Sequence, residues 1–443
     1  MLEPEPIQPS EPDSDLPPIA TDEPAAPTQR RFDPRTLDCD CDNCDLQGRN
    51  PVAPELRSGK LLVVGEAPGK NEEREGIPFV GASGIELVRV LRLCGKTRAD
   101  VSITNVLLCR IRRGAWERYE RFLSKKNAQR ELDGLPPLPS PVECCAPRLA
   151  REVLSAPTLL VLGKTAYTAL TGERSGEDKF GQMRGFPLVI KDKPAVCTFH
   201  PAHVLRNRRW TWMLESDVQK GFRHAAGRLE WSDPKFVFNP TLPQLDGILE
   251  RFGYEKLVGA DSETEPGPGR EDFGVRHDVL RCIALAGAGF AVAVGYKSVT
   301  LQSPPTRWNI PWELVRERLT NFFARSGDGF VLVGHNINVY DRPIWKRHGV
   351  VLPAFQKVLD TLPASRNAWS ELPHDLGFLA SWLTDAPKHK IQDHSAWKSD
   401  EELAIYCMRD AAVNVPVAER VFAEVRKTDQ ARVYLSDVRM QQF

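Results

Sequence analysis

Apolar residues in the first half of the chain occur in short continuous runs, separated by stretches in which they recur at helical spacing. The runs at 61–65, 101–107, 158–162 and 195–199 are typical of strands that are buried on both faces. The stretch 83–93, between the first two runs, has the period of an amphipathic helix. This alternation predicts an α/β domain with a largely parallel sheet and helices on both of its faces.

A second alternating unit begins after a basic helical region that ends near residue 231. An apolar strand at 256–260 opens this unit, a further strand runs over 330–334, and a helical pattern spans 401–425. The fold class is therefore predicted to be α/β in two domains. The predicted parts are a tail, 1–33, a first domain, 34–230, and a second domain, 231–443.

Composition changes this picture mainly at the N-terminus. The 443 residues carry 59 basic and 59 acidic side chains, so the formal net charge is zero. The first thirty residues hold seven acidic side chains, eight prolines and one arginine, and such a stretch buries too little apolar surface to offset its ordering entropy. We predict a disordered acidic tail and a mildly basic remainder, which leaves nucleic-acid binding open.

The chain also lacks the patterns that direct proteins to membranes. No apolar run approaches the length of a membrane span, and the N-terminus has neither the basic nor the apolar region of a signal peptide. We therefore expect a cytoplasmic protein with no membrane partner. In that reducing compartment the ten cysteines are not expected to form structural disulfides, and clustered cysteines indicate metal or cluster ligation.

Four cysteines stand out by their positions. Cys41 and Cys44 form a CxxC pair, Cys109 follows a predicted strand, and Cys145 begins a predicted helix. Four converging thiolates could hold an iron–sulfur cluster or a zinc ion, and spacing alone does not decide between them. The other six cysteines are more typical of core or surface thiols.

Three polar loops follow predicted strands of the first domain, at the edge where open α/β sheets bind ligands. The first loop is GEAPG at 65–69, and its Glu66 places a carboxylate at the end of a strand. The second, GIPFVGASG at 76–84, carries the aromatic ring of Phe79, and the third is HPAHVLR at 200–206. Any one of these loops could be ordinary turn chemistry, but all three in order indicate a ligand pocket.

In this order the motifs resemble the family 4 uracil-DNA glycosylases over roughly residues 38–228. The matching segments are CxxCxL from 41, GEAPGxxE from 65, GxPFVGxSG from 76, ITNVxxCR from 103, CxPxL from 145 and HPxxxLR from 200. The resemblance implies a three-layer α/β/α domain with a structural [4Fe-4S] cluster. Its ligands would be Cys41, Cys44, Cys109 and Cys145.

The resemblance also implies how uracil-containing DNA would be handled. The base must leave the duplex stack, and it would then stack on Phe79 and be read by the amide of Asn105. His200 would bind the uracil O2, and Glu66 would orient the attacking water. Pocket and DNA contacts are further expected from Gly65, Ala67 and Arg206.

The chain departs from the family pattern at two places. Ala67 stands where relatives with a strong base carry Asp, so we expect modest activity. A charged insertion over 110–142 separates Cys109 from Cys145, where relatives have a short loop.

Acidic residues mark three segments of the second domain. Asp261 and Glu263 follow a predicted strand and share one face of the extended chain, and Asp341 comes after another strand. Tyr406 and Asp410 are one turn apart on a predicted helix. Carboxylates that converge in one cleft repel each other unless cations neutralise them, which is the requirement of a two-metal phosphodiester site.

This set resembles the DEDD 3′–5′ exonucleases of the Tyr subtype, which have a ribonuclease H-like fold. The resemblance implies that two Mg²⁺ or Mn²⁺ ions bind four carboxylates, that Tyr406 positions the attacking water, and that Asn336 lines the site. The implied ligands are Asp261, Glu263, Asp341 and Asp410.

The segment 373–387 narrows the resemblance to the exonuclease domains of phage-type family A DNA polymerases, some of which carry a uracil-glycosylase-like module. We expect a bifunctional protein of a bacterial or phage-infected cell that removes uracil, proofreads 3′ ends and works with a polymerase body or replisome. Because a polymerase needs several hundred residues beyond 443, it would be encoded separately or the chain would be a fragment. The alternative is an exonuclease with a non-catalytic, uracil-glycosylase-like DNA-binding module.

Overall fold

The computed structural model describes most of the chain from residue 32 onward. The described ranges are 32–111, 116–173, 177–266, 274–296, 307–389, 399–428 and 430–440. The predicted disordered segment, apart from its last two residues, lies outside them. Within these ranges, no helix combines the length and the apolar character needed to cross a membrane.

The first domain contains a five-stranded sheet flanked by helices. Its strands are β1 Leu61–Gly65, β2 Val101–Asn105, β3 Leu159–Leu162, β4 Pro187–Ile190 and β5 Lys193–Thr198. Its helices are α1 Lys70–Glu75, α2 Ala82–Leu93, α3 Trp116–Leu132, α4 Pro141–Ser155, α5 Lys164–Thr171, α6 Glu177–Met183, α7 Pro201–Arg206 and α8 Thr211–Ala225. The strand order is β2-β1-β3-β5-β4, and only the β4–β5 pair is antiparallel. The predicted largely parallel sheet is therefore confirmed.

Both faces of this sheet are covered, because alternate residues of each strand pack into different cores. On β1, Leu62 and Val64 belong to one buried cluster, and Leu61 and Val63 belong to another on the opposite face. A strand buried on both sides needs apolar residues at every position, which explains the continuous apolar runs. The three-layer arrangement follows from this double burial.

The second domain contains a six-stranded mixed sheet. Its strands are β6 Lys235–Phe238, β7 Leu257–Glu265, β8 Val279–Gly287, β9 Phe290–Gly295, β10 Val331–Gly334 and β11 Val358–Asp360. Its helices are α9 Leu242–Phe252, α10 Trp312–Ala324, α11 Asp341–Arg347, α12 Thr361–Ala368, α13 Leu376–Leu383, α14 Asp400–Lys427 and α15 Ala431–Met440.

The topology of this sheet is that of the predicted ribonuclease H-like fold. The order is β11-β10-β7-β8-β9-β6, with β7, β8 and β9 antiparallel and with β10 and β11 parallel to β7. One detail differs from the prediction, since Asp261 and Glu263 lie inside β7 rather than after it. The strand continues because β8 pairs with it as far as Glu265, with a bulge between Glu263 and Thr264.

A buried ion pair of the first domain extends into the second. Arg184 and Asp217 are both inaccessible to solvent, and the guanidinium Nη1 lies 2.7 Å from the carboxylate Oδ1. The other guanidinium nitrogen donates a 2.6 Å hydrogen bond to Oγ of Ser381 on α13. Removing one partner of such a pair would leave an uncompensated buried charge, so these groups hold the two domains in a defined arrangement.

Lys220 of α8 adds a second buried link at the same interface. Its ammonium donates to three backbone carbonyls, those of Gly185 at 2.6 Å, Ser381 at 2.5 Å and Thr384 at 2.6 Å. Gly185 has a φ of 75°, and a Cβ there would lie 2.8 Å from the carbonyl oxygen of Ser381. The close approach of the two domains therefore depends on a glycine at this turn.

Candidate functional sites

The first candidate site lies where the parallel strands of the first sheet end. β1 ends at Gly65, β2 ends at Asn105, and β5 leads through Phe199 to His200. The loops after these strands line a cavity of about 920 Å³. The sheet thus brings together residues that are far apart in the sequence, at the edge expected for a ligand crevice.

The floor of this cavity is tightly fitted. A Cβ on Gly65 would collide with the Asn105 amide oxygen and with the Phe79 ring, so only glycine allows both groups to approach the strand. Phe79 is 5% exposed and has a φ of 52°, a left-handed conformation that is uncommon for an aromatic residue. Such strain persists only where surrounding contacts enforce it, and it is typical of ligand sites.

Asn105 has an unsatisfied buried acceptor. Its side-chain oxygen is buried and has no hydrogen-bond partner in the described part of the protein. Buried polar atoms are nearly always paired, so an unpaired one beside a cavity needs an explanation. A ligand that offers an N–H group at this point would provide the missing partner.

His200 is held as a neutral hydrogen-bond donor. Its Nδ1 accepts a 3.1 Å hydrogen bond from the backbone N–H of Ala202, in the first turn of α7. Burial, with smaller contributions from the charges of Arg206 and His203, lowers the pKa of His200 to about 4. A neutral imidazole that accepts at Nδ1 carries its proton on Nε2, so His200 can donate from Nε2.

The remaining predicted pocket residues line the same cavity, in different settings. The carboxylate of Glu66 accepts a 2.7 Å hydrogen bond from the hydroxyl of Thr165. Ala67 lies on the wall, and Arg206 is exposed at the end of α7. All seven predicted residues of this site are therefore brought together, counting Gly65, Phe79, Asn105 and His200 with Glu66, Ala67 and Arg206.

Sequence reasoning missed two residues that organise this pocket. The carboxylate of Glu72 accepts hydrogen bonds from the backbone N–H groups of Val80 and Gly81, at 3.0 and 2.7 Å, and so fixes the loop that carries Phe79. Thr165 follows β3 and positions Glu66. The position of Thr165 after a buried strand was a usable signal, because Glu66 and His200 also follow buried strands.

The second candidate site is a cavity of about 580 Å³ lined by six of the ten cysteines. It contains the four predicted ligands and two further thiols. The six are Cys39, Cys41, Cys44, Cys109, Cys144 and Cys145. This concentration of thiols fits an iron–sulfur cluster or a zinc ion, since thiolates are the preferred ligands of both.

Electrostatics single out Cys145 within this set. A hydrogen bond from Cys39 and the charge of Arg148 lower the pKa of Cys145, although burial opposes them. Burial and the charge of Cys145 raise the pKa of Cys109 to about 12. Neighbouring thiolates repel each other, and a cation that binds between them stabilises their deprotonated form.

The insertion over 110–142 covers the cysteine loop. Within it, Trp116, Tyr119 and Leu123 of α3 are buried in the same hydrophobic cluster as Cys39 and Cys145. The Tyr119 hydroxyl also lies 2.8 Å from a carboxylate oxygen of Asp45, next to the CxxC pair. A helix of the insertion therefore packs against the segments that carry the thiols.

The third candidate site lies on β7 of the second domain. The possible ligand atoms of Asp261, Glu263 and Cys407 all lie within 4.8 Å of one another. The Cys407 thiol is 3.7 Å from a carboxylate oxygen of Asp261, and burial raises the pKa of this thiol. Cys407 was not predicted here, although it directly follows Tyr406 of the recognised motif.

The other two predicted carboxylates flank this group without joining it. Asp341 is buried at the start of α11, accepts a hydrogen bond from the Ser262 hydroxyl, and has a pKa that burial raises. Asp410 lies 2.7 Å from Nε2 of His389. Tyr406 is buried one turn before Asp410, with its ring 6.2 Å from that of His389. Carboxylates of like charge separate when hydrogen-bond donors are available, which accounts for this arrangement.

Asp360 supports the loop between β10 and α11. Its carboxylate accepts hydrogen bonds from the backbone N–H groups of Asn336, Asn338 and Leu362, at 2.8, 3.1 and 3.1 Å. Asn336, which has a φ of 61°, is thus held by its backbone at the end of β10. Asp360 and His389 were not predicted as site residues, because only the fold brings them to Asp341 and Asp410.

Comparisons with known proteins identify the class of the first domain. A family model described as the uracil DNA glycosylase superfamily matches residues 55–223. The type-4 uracil-DNA glycosylase of Pyrobaculum aerophilum is 32% identical over 195 residues, which cover 41% of this chain and 88% of that protein. The Sulfurisphaera tokodaii enzyme of the same name is 31% identical over 191 residues, covering 41% and 78%. Through its first domain, the chain belongs to the uracil-DNA glycosylase superfamily.

Solved structures show a more distant likeness. The catalytic core of RRP6 from Trypanosoma brucei has a TM-score of 0.37 at 15% identity. The match covers 48% of this chain, and the chain spans about half of that structure, 53%. Escherichia coli RNase D, described as an exoribonuclease, has a TM-score of 0.35 at 13% identity, with 47% and 50% covered.

Proposed function

We propose that the protein is a bifunctional DNA-processing enzyme that excises uracil with its first domain and removes nucleotides from 3′ ends with its second. The proposal for the first domain rests on two polar groups that lie in the same cavity. The unsatisfied acceptor of Asn105 and the neutral donor of His200 line the same cavity. A flipped uracil offers an N–H group to the former and a carbonyl oxygen to the latter.

The pocket residues would divide the glycosylase reaction among them. Phe79 would stack on the base while Asn105 accepts from its N3–H. As the glycosidic bond lengthens, negative charge grows on the uracil O2, and a hydrogen bond from Nε2 of His200 would stabilise it. Glu66, oriented by Thr165, would position the water that attacks the sugar.

We further propose that Cys41, Cys44, Cys109 and Cys145 hold a [4Fe-4S] cluster. The six-thiol cavity supports a soft metal centre, and the motif register favours these four residues. A bound cluster would cross-link the CxxC loop, the end of β2 and α4. The alternative, zinc, is tested by visible absorption of protein purified without oxygen, because zinc thiolates are colourless and the cluster is brown.

In the second domain we propose a two-metal exonuclease site with Asp261, Glu263, Asp341 and Asp410 as ligands. Two Mg²⁺ or Mn²⁺ ions would supply a nucleophile at neutral pH and stabilise the leaving 3′ oxygen. Tyr406 would orient the water. The mutual proximity of Asp261 and Glu263 supports this assignment, as does the burial of Asp341 and Asp410, which cations would offset.

Two assays test these activities separately. A uracil-containing oligonucleotide incubated with the protein and then treated with alkali breaks at each abasic site, so breaks at uracil report excision. Release of mononucleotides from a uracil-free, 3′-labelled single strand with Mg²⁺ reports the exonuclease. Full nuclease activity after Asp261→Ala combined with Asp410→Ala would overturn the metal-site assignment.

A second candidate function for the first domain is uracil recognition without excision. One observation favours it, namely the methyl group of Ala67 at the position of a strong base. Tight binding of uracil-containing DNA with no alkali-labile sites, in a preparation with full exonuclease activity, would select this function.

Association with a family A polymerase is part of the proposal. It is supported by the resemblance of the segment 373–387 and by the combination of the two domains in one chain. The test is whether a purified family A polymerase body co-elutes with this protein in gel filtration and whether exonuclease activity on a mismatched primer end increases. Separate elution with unchanged activity would remove the polymerase from the proposal.

A further inference from the structure

Five partly exposed aromatic rings connect the uracil pocket to the second domain. They form a continuous series of neighbours: Phe199, Trp210, Phe378, Trp382 and Trp369. Adjacent ring centroids are 5.0, 6.4, 6.3 and 4.7 Å apart in that order. We call this series the aromatic track. It crosses the domain boundary between Trp210 and Phe378.

One end of the track lies at the first proposed catalytic site. Phe199 lines the 920 Å³ cavity and directly precedes His200. In the second domain, Phe378 and Trp382 belong to α13, and the chain that leaves α13 continues to His389, which pairs with Asp410. The track therefore leads from the uracil pocket onto the helix that precedes His389 in the second domain.

Buried contacts at the domain interface fix the positions of two rings of the track. The guanidinium of Arg184 lies 5.8 Å from the Phe199 ring centroid and 5.2 Å from that of Phe378, one ring from each domain. Arg184 is itself fixed by Asp217 and donates to Ser381 of α13, so separating the two rings would break this buried 2.6 Å hydrogen bond between the domains. The exposed parts of the rings are thus presented on a rigid support.

Positive charge accompanies the rings on the side of the first domain. Arg206, Arg208 and Arg209 are exposed, and the guanidinium of Arg209 lies 4.6 Å from the Trp210 ring centroid. Two acidic groups near the track have partners, since Asp375 accepts a hydrogen bond from the Phe378 N–H and Glu86 lies 3.5 Å from Arg208. Aromatic platforms beside a basic strip are how proteins bind single-stranded nucleic acid without reading its sequence.

We propose that the aromatic track binds single-stranded DNA that runs between the uracil pocket and the exonuclease site. The bases would stack on the exposed parts of the rings while Arg206, Arg208 and Arg209 contact phosphates. This inference rests on the proposed function for the identity of the two sites. It adds that one strand can occupy both domains at once, so that a strand examined for uracil is delivered toward the exonuclease.

Binding measurements that involve no uracil and no turnover test the track. The probes are fluorescein-labelled, uracil-free oligothymidylates of increasing length, and the protein is the full chain with Asp261→Asn and Asp410→Asn to prevent degradation. We expect affinity to rise with length until the track is covered. Phe378→Leu and Trp382→Leu should each weaken binding of the longer probes by about tenfold, because each removes one stacking surface.

Two further variants separate stacking and charge from general damage. Tyr254→Ala removes an aromatic residue that is 85% exposed and lies outside the track, and it should bind as the parent does. Arg208→Gln with Arg209→Gln should make the slope of log affinity against log salt shallower by about 0.7 for each phosphate that the variant no longer binds. Circular dichroism melting of each variant shows whether it is folded.

The outcomes distinguish this inference from the proposed function. Unchanged binding by folded Phe378→Leu and Trp382→Leu variants would overturn the track, even if excision and nuclease assays succeed. Loss of binding in those variants, with Tyr254→Ala unaffected, would support the track even if neither enzymatic activity is found.

Discussion

The two proposed catalytic sites differ in how complete they are in the protein alone. The groups proposed to hold the base in the first site, Phe79, Asn105 and His200, are uncharged and are fixed by the protein alone, with Phe79 strained into place and His200 held by a backbone N–H. The carboxylate site is divided, since Asp261 and Glu263 lie close together while Asp341 and Asp410 are held by other side chains.

Charge explains this difference. Neutral donors and acceptors can be packed side by side at little cost, so a pocket for an uncharged base can be preformed. Four carboxylates cannot be brought together without cations, and burial alone already raises the pKa of Asp341. The contrast predicts that the first site responds to loss of single hydrogen-bond donors, whereas the second responds to loss of any one charge.

The largest expected effect is on the carboxylate site. Asp261→Asn should lower the rate of nucleotide release by about 10³-fold or more, because a two-metal site contributes several kcal/mol of transition-state stabilisation. Uracil excision by the same preparation should be unchanged. The matched control is Asp328→Asn, which neutralises a side chain that is 70% exposed. Equal losses of nuclease activity in Asp261→Asn and Asp328→Asn would contradict the proposed role of Asp261 as a metal ligand.

The corresponding change in the uracil pocket removes one donor. His200→Ala should reduce excision by about 10²- to 10³-fold, as expected for loss of a hydrogen bond to a developing oxyanion. Exonuclease activity in the same sample serves as the internal control. An excision rate within threefold of the parent would show that His200 does not act as this donor.

The buried ion pair near the interface between the two domains is expected to contribute to stability. Arg184→Met leaves Asp217 buried without its partner and should lower the free energy of unfolding by about 3–5 kcal/mol. Arg318→Met, at a surface pair with Asp246, should cost less than about 1 kcal/mol. Urea denaturation measures both. Equal losses of stability in the two variants would show that the buried pair contributes no more than the surface pair.

A smaller effect concerns pH. The pKa of His200 is lowered to about 4, so the imidazole stays neutral over the pH range 8 to 5 and excision should be nearly constant there. The same shift contributes stability that is complete above about pH 6.5 and is lost as pH falls toward 4, because the unfolded chain takes up the proton first. Single-turnover rates across this range are the measurement. An inflection near 6.5 that is absent in His200→Asn would contradict the lowered pKa.

Sequence motifs anticipated the first candidate pocket well because several of its polar residues lie at or just after the end of a buried strand. Parallel strands bring their carboxyl ends to one edge, so Glu66, Asn105 and His200 had to converge once the strands were recognised. Thr165 was accessible to the same reasoning. Glu72 was not, because its role depends on a loop that turns back over α1.

The carboxylate site was harder to anticipate in detail. The residue types and their order identified the motif segments, but the extent of β7 depended on pairing with β8. Cys407 and His389 became visible as neighbours of Asp261 and Asp410 only when α14 and the segment after α13 were packed against the sheet. Such contacts join residues distant in sequence and leave no periodic signal.

By itself, the sequence determined the two α/β units, four of the five strands of the first sheet, two of the six strands of the second, and the motif residues of each proposed site. These follow from apolar periodicity and from local chemistry, which act over a few residues. Only the tertiary structure decided that Cys39 and Cys144 join the thiol cavity, that α3 covers it, and that Arg184 and Lys220 join the domains. The physical reason is that burial is a property of the packed chain, and a buried charge acquires its partners only when distant segments exclude water together.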